Sequence, residues 1–121
     1  MAYHDAQPDV DDALVAMMQR YTVRDQVEVK RILQRYPFLS PVLAEALERI
    51  PRYFPGSPLS LWILSDPERD TGDDTDEIVL SIETSLEAPE AMARRERLAD
   101  EWWLDALPAT KGRLSIDVEF V

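Results

Sequence analysis

Hydrophobic and polar residues alternate along two stretches in the second half of the chain. Apolar residues occupy every second position of DEIVLSIETS, at Ile78, Leu80 and Ile82, and the same alternation runs through GRLSIDVEFV. A period of two with one polar face is typical of a half-buried strand. Buried parallel strands usually read as unbroken apolar runs. The pattern therefore favours a mixed or antiparallel sheet with one packed face.

Between these two strands, apolar residues recur at helical spacing from Pro89 to Leu107. One row holds Ala91, Leu98 and Trp102, and the next row holds Met92, Ala99, Trp103 and Ala106. Together they predict a helix with a broad apolar stripe. Arg95 falls in the middle of this stripe. Its stem could pack while its guanidinium reaches water, or it could anchor an ion pair or a partner, and both interpretations stay open.

A third strand is indicated by LSLWILS at residues 59–65, which is apolar on both of its faces. Such a strand belongs in the middle of a sheet or has both faces covered. Counting this strand as the first, we expect the order 2-1-3, with strand 77–85 at an edge and the last strand antiparallel to the first. The order 1-2-3 is the alternative.

The first half of the chain predicts three helices. Residues 1–8 are expected to be loose, and Asp9 is expected to cap a helix that runs to Tyr21. Thr22 and Asp25 resemble a capping box for the second helix, and Ser40 and Pro41 begin a third that ends near Pro51. The predicted fold class is α+β in a single domain, 1–121. The helical part is 9–54, and a β-β-α-β unit with a three-stranded sheet follows at 58–121.

Composition excludes several classes of function. The chain of 121 residues has no cysteine, which rules out disulfides, thiol catalysis and thiolate metal sites. No apolar run approaches the roughly 20 residues of a membrane span, and the acidic N-terminus lacks a signal-peptide core. We therefore expect a cytoplasmic protein. Its net charge of −11 argues against nonspecific binding to nucleic acids or anionic membranes and leaves a basic protein partner open.

Carboxylate side chains are the candidate metal-binding and catalytic groups of the chain. Seven of them and one arginine lie between Asp66 and Glu77. The residues around Gly72 do not have the ligand spacing of an EF-hand calcium loop. We therefore expect a solvated loop and neither metal nor cofactor. The polar face of the predicted sheet carries Glu83, Asp117 and Glu119. Paired carboxylates can perform acid–base catalysis. With no lysine beside them and with His4 as the sole histidine, an enzyme is not favoured, although a small carboxylate-dependent enzyme is the alternative.

A helix-turn-helix is a third reading of the second and third predicted helices. A recognition helix presents basic and amide groups to the major groove of DNA. This one presents Glu45 and Glu48 beside a single basic residue, Arg49. Phosphate repulsion would oppose binding by that face, so DNA binding is not expected.

Exposed apolar residues beside charge indicate where a partner binds. The three helices are expected to cover the sheet face with Trp62 and Leu64. Leu104, by contrast, points away from the apolar stripe of its helix. Trp103, Leu104 and Leu107, with Arg95, are therefore the predicted partner-binding or self-association residues. The sequence favours a non-catalytic protein-interaction module, a small adaptor or antitoxin-like regulator.

Six strings carry a resemblance over about residues 36–121: YPFLSPVLAEALERI, YFPGSPLSL, SDPE, TSL, EWWLD and DVEF. In these strings the chain resembles a group of small acidic bacterial proteins of hypothetical function. The resemblance implies a bacterial domain. It implies no activity, cofactor or site residue.

Overall fold

A four-stranded mixed sheet organises the computed structural model, which describes residues 6–64 and 76–121 and the side chains from Asp12 onward. The strands are β1 (Thr22–Val23), β2 (Leu59–Leu64), β3 (Glu77–Thr84) and β4 (Leu114–Phe120), and they lie in the order β1-β2-β3-β4. β1 and β2 are parallel, β2 and β3 are antiparallel, and β3 and β4 are parallel.

Three helices precede β2, namely α1 (Ala6–Gln19), α2 (Gln26–Arg35) and α3 (Leu39–Arg49), and a short 3-10 turn (Ile50–Arg52) follows α3. Residues 1–5 of the segment predicted to be loose lie outside the described residues, and α1 begins at Ala6, before the predicted cap at Asp9. The apolar stripes of these helices are buried as their spacing predicts. The buried residues include Leu14, Met18, Val29, Ile32, Leu33, Leu43, Ala46, Leu47 and Ile50.

The segment between β3 and β4 is one helical crossover of changing pitch. It begins as α4 (Ala88–Leu98) and passes through a π turn (Ala99–Trp103). A single α-helical turn (Leu104–Ala106) and a 3-10 turn (Leu107–Thr110) complete it. The π turn widens the helix by one residue per turn and so rotates the side chains that follow it. Trp102 is 6% exposed, whereas Trp103 is only partly buried.

The sequence prediction of a three-stranded sheet in the order 2-1-3 is wrong, although the α+β class is confirmed. The structure has four helices and a four-stranded mixed sheet in which β3 is paired on both sides, with β2 and with β4. β2 and β3 are both interior strands, and β3 is the one with both faces buried, from Ile78 to Ile82. The apolar second face of β2 misled the prediction of strand order, because Trp62 is partly exposed and Leu64 is exposed, beyond the two β2 residues that pair with β1.

The first strand, β1, lies where the sequence predicted the capping box of the second helix. Thr22 and Val23 pair with β2 instead of capping a helix, and the N–H of Arg24 donates to the carbonyl oxygen of Leu61 at 2.9 Å. The N-cap of α2 is Asp25, whose φ of 62° is left-handed and whose carboxylate accepts from a backbone N–H at 3.3 Å. A two-residue strand has no periodicity that a sequence pattern could reveal.

All four helices contribute to one core, which lies on one face of the sheet. The sheet residues that join this core occupy alternating positions: Leu59 and Leu61 on β2, Ile78, Leu80 and Ile82 on β3, and Leu114 and Ile116 on β4. Alternating residues point to the same face of a strand. The residues between them therefore point to the other face, and none of those belongs to the core cluster.

Candidate protein-interaction surface

The face of the sheet opposite the helices is the largest feature that the fold leaves unexplained. We call it the open face. Its side chains are Ser60, Trp62 and Leu64 on β2, Glu77, Val79, Ser81 and Glu83 on β3, and Ser115, Asp117 and Glu119 on β4. None of these residues packs in the helical core. In the described part of the chain the helices therefore cover one side of the sheet, and no helix covers the second side, where Ser60, Val79 and Ser81 are nevertheless buried.

The apolar part of the open face is built around Trp62. Its indole Nε1–H donates to the hydroxyl oxygen of Ser81 at 2.8 Å, across the β2–β3 pair. Val79, the register partner of Trp62, is only 4% exposed, whereas Leu64 at the end of β2 is 47% exposed. An indole that is fixed by a hydrogen bond and flanked by an exposed leucine is the kind of aromatic anchor found in protein interfaces.

The rest of the open face is acidic. Glu83 and Glu119 are direct register partners on β3 and β4, and Asp117 lies opposite Ser81. Arg24 reaches Glu119 with a distance of 3.3 Å between Nη2 and Oε2. Both side chains of this pair are about half exposed, so the ion pair is screened and weak. The face presents four carboxylates, including that of Glu77, and Arg24 pairs with one of them.

The three residues of the catalytic alternative do share the open face. Glu83, Asp117 and Glu119 lie on adjacent strands, as the alternation predicts. Among the described residues, no group of three or more histidine, cysteine, aspartate or glutamate side chains could hold a metal ion. The acidic loop of the calcium hypothesis falls mainly in residues 65–75, which lie outside the described residues. His4 also lies outside the described residues.

The predicted helical patch is divided between different environments. Leu104 is 54% exposed and Leu107 is 38% exposed. Trp103 packs against the core, with its ring centroid 5.7 Å from that of Trp102. Arg95 is exposed and donates to the carbonyl oxygen of Ile116 at 3.3 Å, at the edge of β4. Leu104 and Leu107 therefore remain the outward-facing part of this predicted patch.

The string EWWLD contains contacts that hold α4 against the end of α3. The Tyr53 hydroxyl donates to the carboxylate of Glu101 within the π turn, and this hydrogen bond raises the pKa of Tyr53. The Arg97 guanidinium lies 5.8 Å from the Tyr53 ring centroid, and Arg94 donates to the Tyr53 carbonyl oxygen at 3.0 Å. Glu101 of the string thus links the π turn to the residue that follows the 3-10 turn after α3.

A cleft of about 290 Å³ lies where β3 and β4 end. Its lining includes Gly56, Glu83, Ser85, Arg94 and Val121. Arg94 is the cation in this lining, and it already binds Glu90 at 2.9 Å and the Tyr53 carbonyl. A cation held by two partners is poorly placed to recruit an anion, so the cleft does not compete with the open face as a candidate site.

Sequence reasoning had dismissed the open face, because it placed Trp62 and Leu64 beneath the helices. Alternation along the strands already predicts that Trp62, Leu64 and Val79 share a face with Glu83. No signal in the sequence indicates which of the two faces the helices cover. Among the described residues, no helix is long and apolar enough to cross a membrane. Compared with known proteins, the chain matches no protein-family model, no curated protein and no solved structure. The resemblance to small acidic bacterial proteins therefore stays a prediction.

Proposed function

We propose that this protein is a non-catalytic protein-interaction module, a small adaptor or antitoxin-like regulator, that binds a basic protein partner through its open face. The observation that supports the proposal is a sheet face with Trp62 and Leu64 at one end and Glu83, Asp117 and Glu119 at the other, which no described helix covers. Interfaces combine an aromatic and apolar centre with a polar rim. The open face offers both.

Charge supports a basic partner over a second copy of the chain. The net charge of −11 means that two copies repel one another, whereas a basic surface is attracted over a Debye length of about 8 Å at physiological ionic strength. Electrostatic complementarity raises association rates and selects partners. Self-association through Leu104 and Leu107 is retained as a second interaction proposal, because both side chains are exposed.

Two matched charge-reversal variants test the proposal. Glu83→Lys with Asp117→Lys changes the open face, and Glu48→Lys with Glu96→Lys changes exposed positions on α3 and α4. Both pairs change the net charge by the same amount. Tagged proteins are used for affinity purification from the native host, and each retained protein is quantified against the wild type. The proposal expects a partner that the open-face variant loses by about tenfold or more and that the helical variant keeps. Equal retention by both variants would refute the open face as the interface.

The carboxylate-dependent enzyme is the alternative, and one variant separates it from the module. Glu83→Gln with Asp117→Asn preserves shape and removes two charges. An enzyme that uses these groups for acid–base catalysis loses at least about a hundredfold in rate. A binding module keeps its fold and loses only the part of its affinity that those charges contribute.

A further inference from the structure

The outer edge of β4 is, after the open face, the second part of the sheet that no described element pairs with or covers. β4 is a terminal strand of seven residues, and in the described part of the chain no strand pairs with its outer side. The N–H of Val121 donates to the Thr84 carbonyl, and the Arg113 carbonyl accepts from Ile78, so these odd-numbered residues face β3. The N–H and C=O groups of the alternate residues therefore point outward. Those residues are Leu114, Ile116, Val118 and Phe120.

Two side chains occupy part of this edge. Arg95 donates to the outward carbonyl oxygen of Ile116 at 3.3 Å, and the Asp117 carboxylate accepts from the outward N–H of Val118 at 2.8 Å. Unpaired edges attract other strands, and charged side chains are a common means of protecting them. Both contacts are made by exposed side chains, and the Arg95 contact of 3.3 Å is at the long end of hydrogen bonding. An incoming strand can displace each of them and offer a main-chain group in its place.

The two sides of the edge differ in chemistry. On the open face, the edge strand presents the carboxylates of Asp117 and Glu119. On the helix side, Phe120 is 49% exposed and Arg95 marks the face of α4 that overhangs the edge. Met92, three residues before Arg95, lies on the same face of α4 and is 42% exposed. An added strand would thus meet acid on one side and apolar surface on the other.

We propose that the outer edge of β4 accepts an extended strand from the basic partner, with basic side chains above Asp117 and Glu119 and apolar side chains beside Phe120 and Met92. This inference rests on the proposed function and names its binding mode. In such strand addition, main-chain hydrogen bonds supply affinity and alternate side chains supply specificity. Arg95 and Asp117 protect the edge until the strand displaces them.

A synthetic probe can test this without knowledge of the partner. The probe is a capped seven-residue peptide of alternating lysine and valine, which matches the length of β4. Two controls carry three N-methyl groups each, on the valine amides in one and on lysine amides in the other, so that charge and composition are matched. In a paired strand, alternate residues direct their N–H groups to one neighbour. For a strand of one direction whose lysines lie over the acidic side, only one of the two methylated peptides can pair with the edge, and the edge-amide exchange described below reports whether either of them does.

The expected result is that the parent peptide and one methylated peptide bind at low salt, while the other binds about tenfold or more weakly. Amide exchange at Ile116 and Phe120, and at Val118 where a main-chain carbonyl replaces the exposed Asp117 carboxylate, should slow by at least the same factor when the parent peptide binds. The amides of Ser115 and Glu119, which already face β3, should change little.

Three results would overturn the inference. Equal binding by both methylated peptides, with unchanged exchange at Ile116, Val118 and Phe120 and with affinity lost in Glu83→Lys with Asp117→Lys, would mean that the open face binds by charge alone, so that the proposed function stands and strand addition fails. Absence of peptide binding at low salt would reject strand addition by a basic segment. A concentration-dependent dimer in sedimentation velocity, with the edge amides protected in the absence of peptide, would assign the edge to a second copy of the chain.

Discussion

The two faces of the sheet come from the same alternation in sequence but differ in what packs against them. Helices pack on one face, and no described helix packs on the other. On the helix side, Leu61, Leu80 and Ile116 form a row across three strands and are at most 5% exposed. On the open face, the neighbouring row of Trp62, Val79 and Ser115 runs from partly exposed to buried and again to partly exposed. Val79 is 4% exposed although no described helix packs on that face, so burial on the open face comes from neighbouring side chains of the sheet and falls off toward Leu64 at the end of β2.

The first prediction compares one truncation on the two faces. Leu80→Ala removes a wholly buried side chain from the central strand and should lower the free energy of unfolding by about 3 kcal/mol, because the lost burial leaves a cavity. Leu64→Ala removes a half-exposed side chain and should lower it by less than about 1 kcal/mol. Urea unfolding measures both values. Equal losses would mean that the open face is as closely packed as the helix side.

The second prediction concerns the buried hydroxyl on the helix side. Tyr21 donates to the Leu43 carbonyl oxygen at 2.6 Å, and burial raises its pKa, outweighing the nearby Arg20. Tyr21→Phe should cost about 1–3 kcal/mol at neutral pH, because the buried carbonyl loses its donor. The measurement is urea unfolding of both proteins across a pH series.

The same tyrosine predicts a loss of stability in alkali. Above its ordinary pKa of 10.0, the tyrosine of the unfolded chain releases its proton while the folded protein retains it. The wild type should thus keep the contribution of Tyr21 below pH 10 and lose it progressively as the pH rises above 10. Tyr21→Phe should show a shallower alkaline decline. Parallel declines in the two proteins would contradict the assigned cause.

The third prediction uses two serines that face each other across β2 and β3. Ser81 accepts the indole hydrogen bond of Trp62, whereas the wholly buried Ser60 has no partner for its hydroxyl within the described residues. Ser81→Ala should destabilise the protein by about 1 kcal/mol, and Ser60→Ala should leave stability unchanged or raise it by about 1 kcal/mol. A substantial loss in Ser60→Ala would show that its hydroxyl is satisfied in solution.

The fourth prediction has the smallest expected effect on stability. Leu104 and Leu107 are exposed on the crossover, so changing both to serine should alter the free energy of unfolding by less than about 1 kcal/mol. If these residues form the predicted self-association or partner patch, the double variant should associate more weakly in sedimentation or binding experiments. Unfolding of the variant would show instead that the two leucines belong to the core.

Local periodicity was sufficient for most of the elements. The helical stripes through Leu14 and Met18, Val29 and Ile32, and Leu43 and Ile50 are buried as their spacing predicts, because an amphipathic helix has one way to face a core. Strands 59–64 and 77–84 fall within a residue or so of their predicted bounds. β1 was missed, since two residues contain no period, and so was the π turn, which depends on how Trp102 packs.

The sequence by itself determined which residues are apolar on each face of each strand and thus that Glu83, Asp117 and Glu119 share one face of the sheet. Only the tertiary structure decided which face the helices cover and which strand is central, because both depend on contacts between segments far apart in the chain. The helices packed on the face of Leu59 and Leu61, and this left Trp62 and Leu64 on the opposite face. The pairing of β3 with β2 and β4 left the edge of β4 without a neighbour in the described part of the chain, and no local pattern records that.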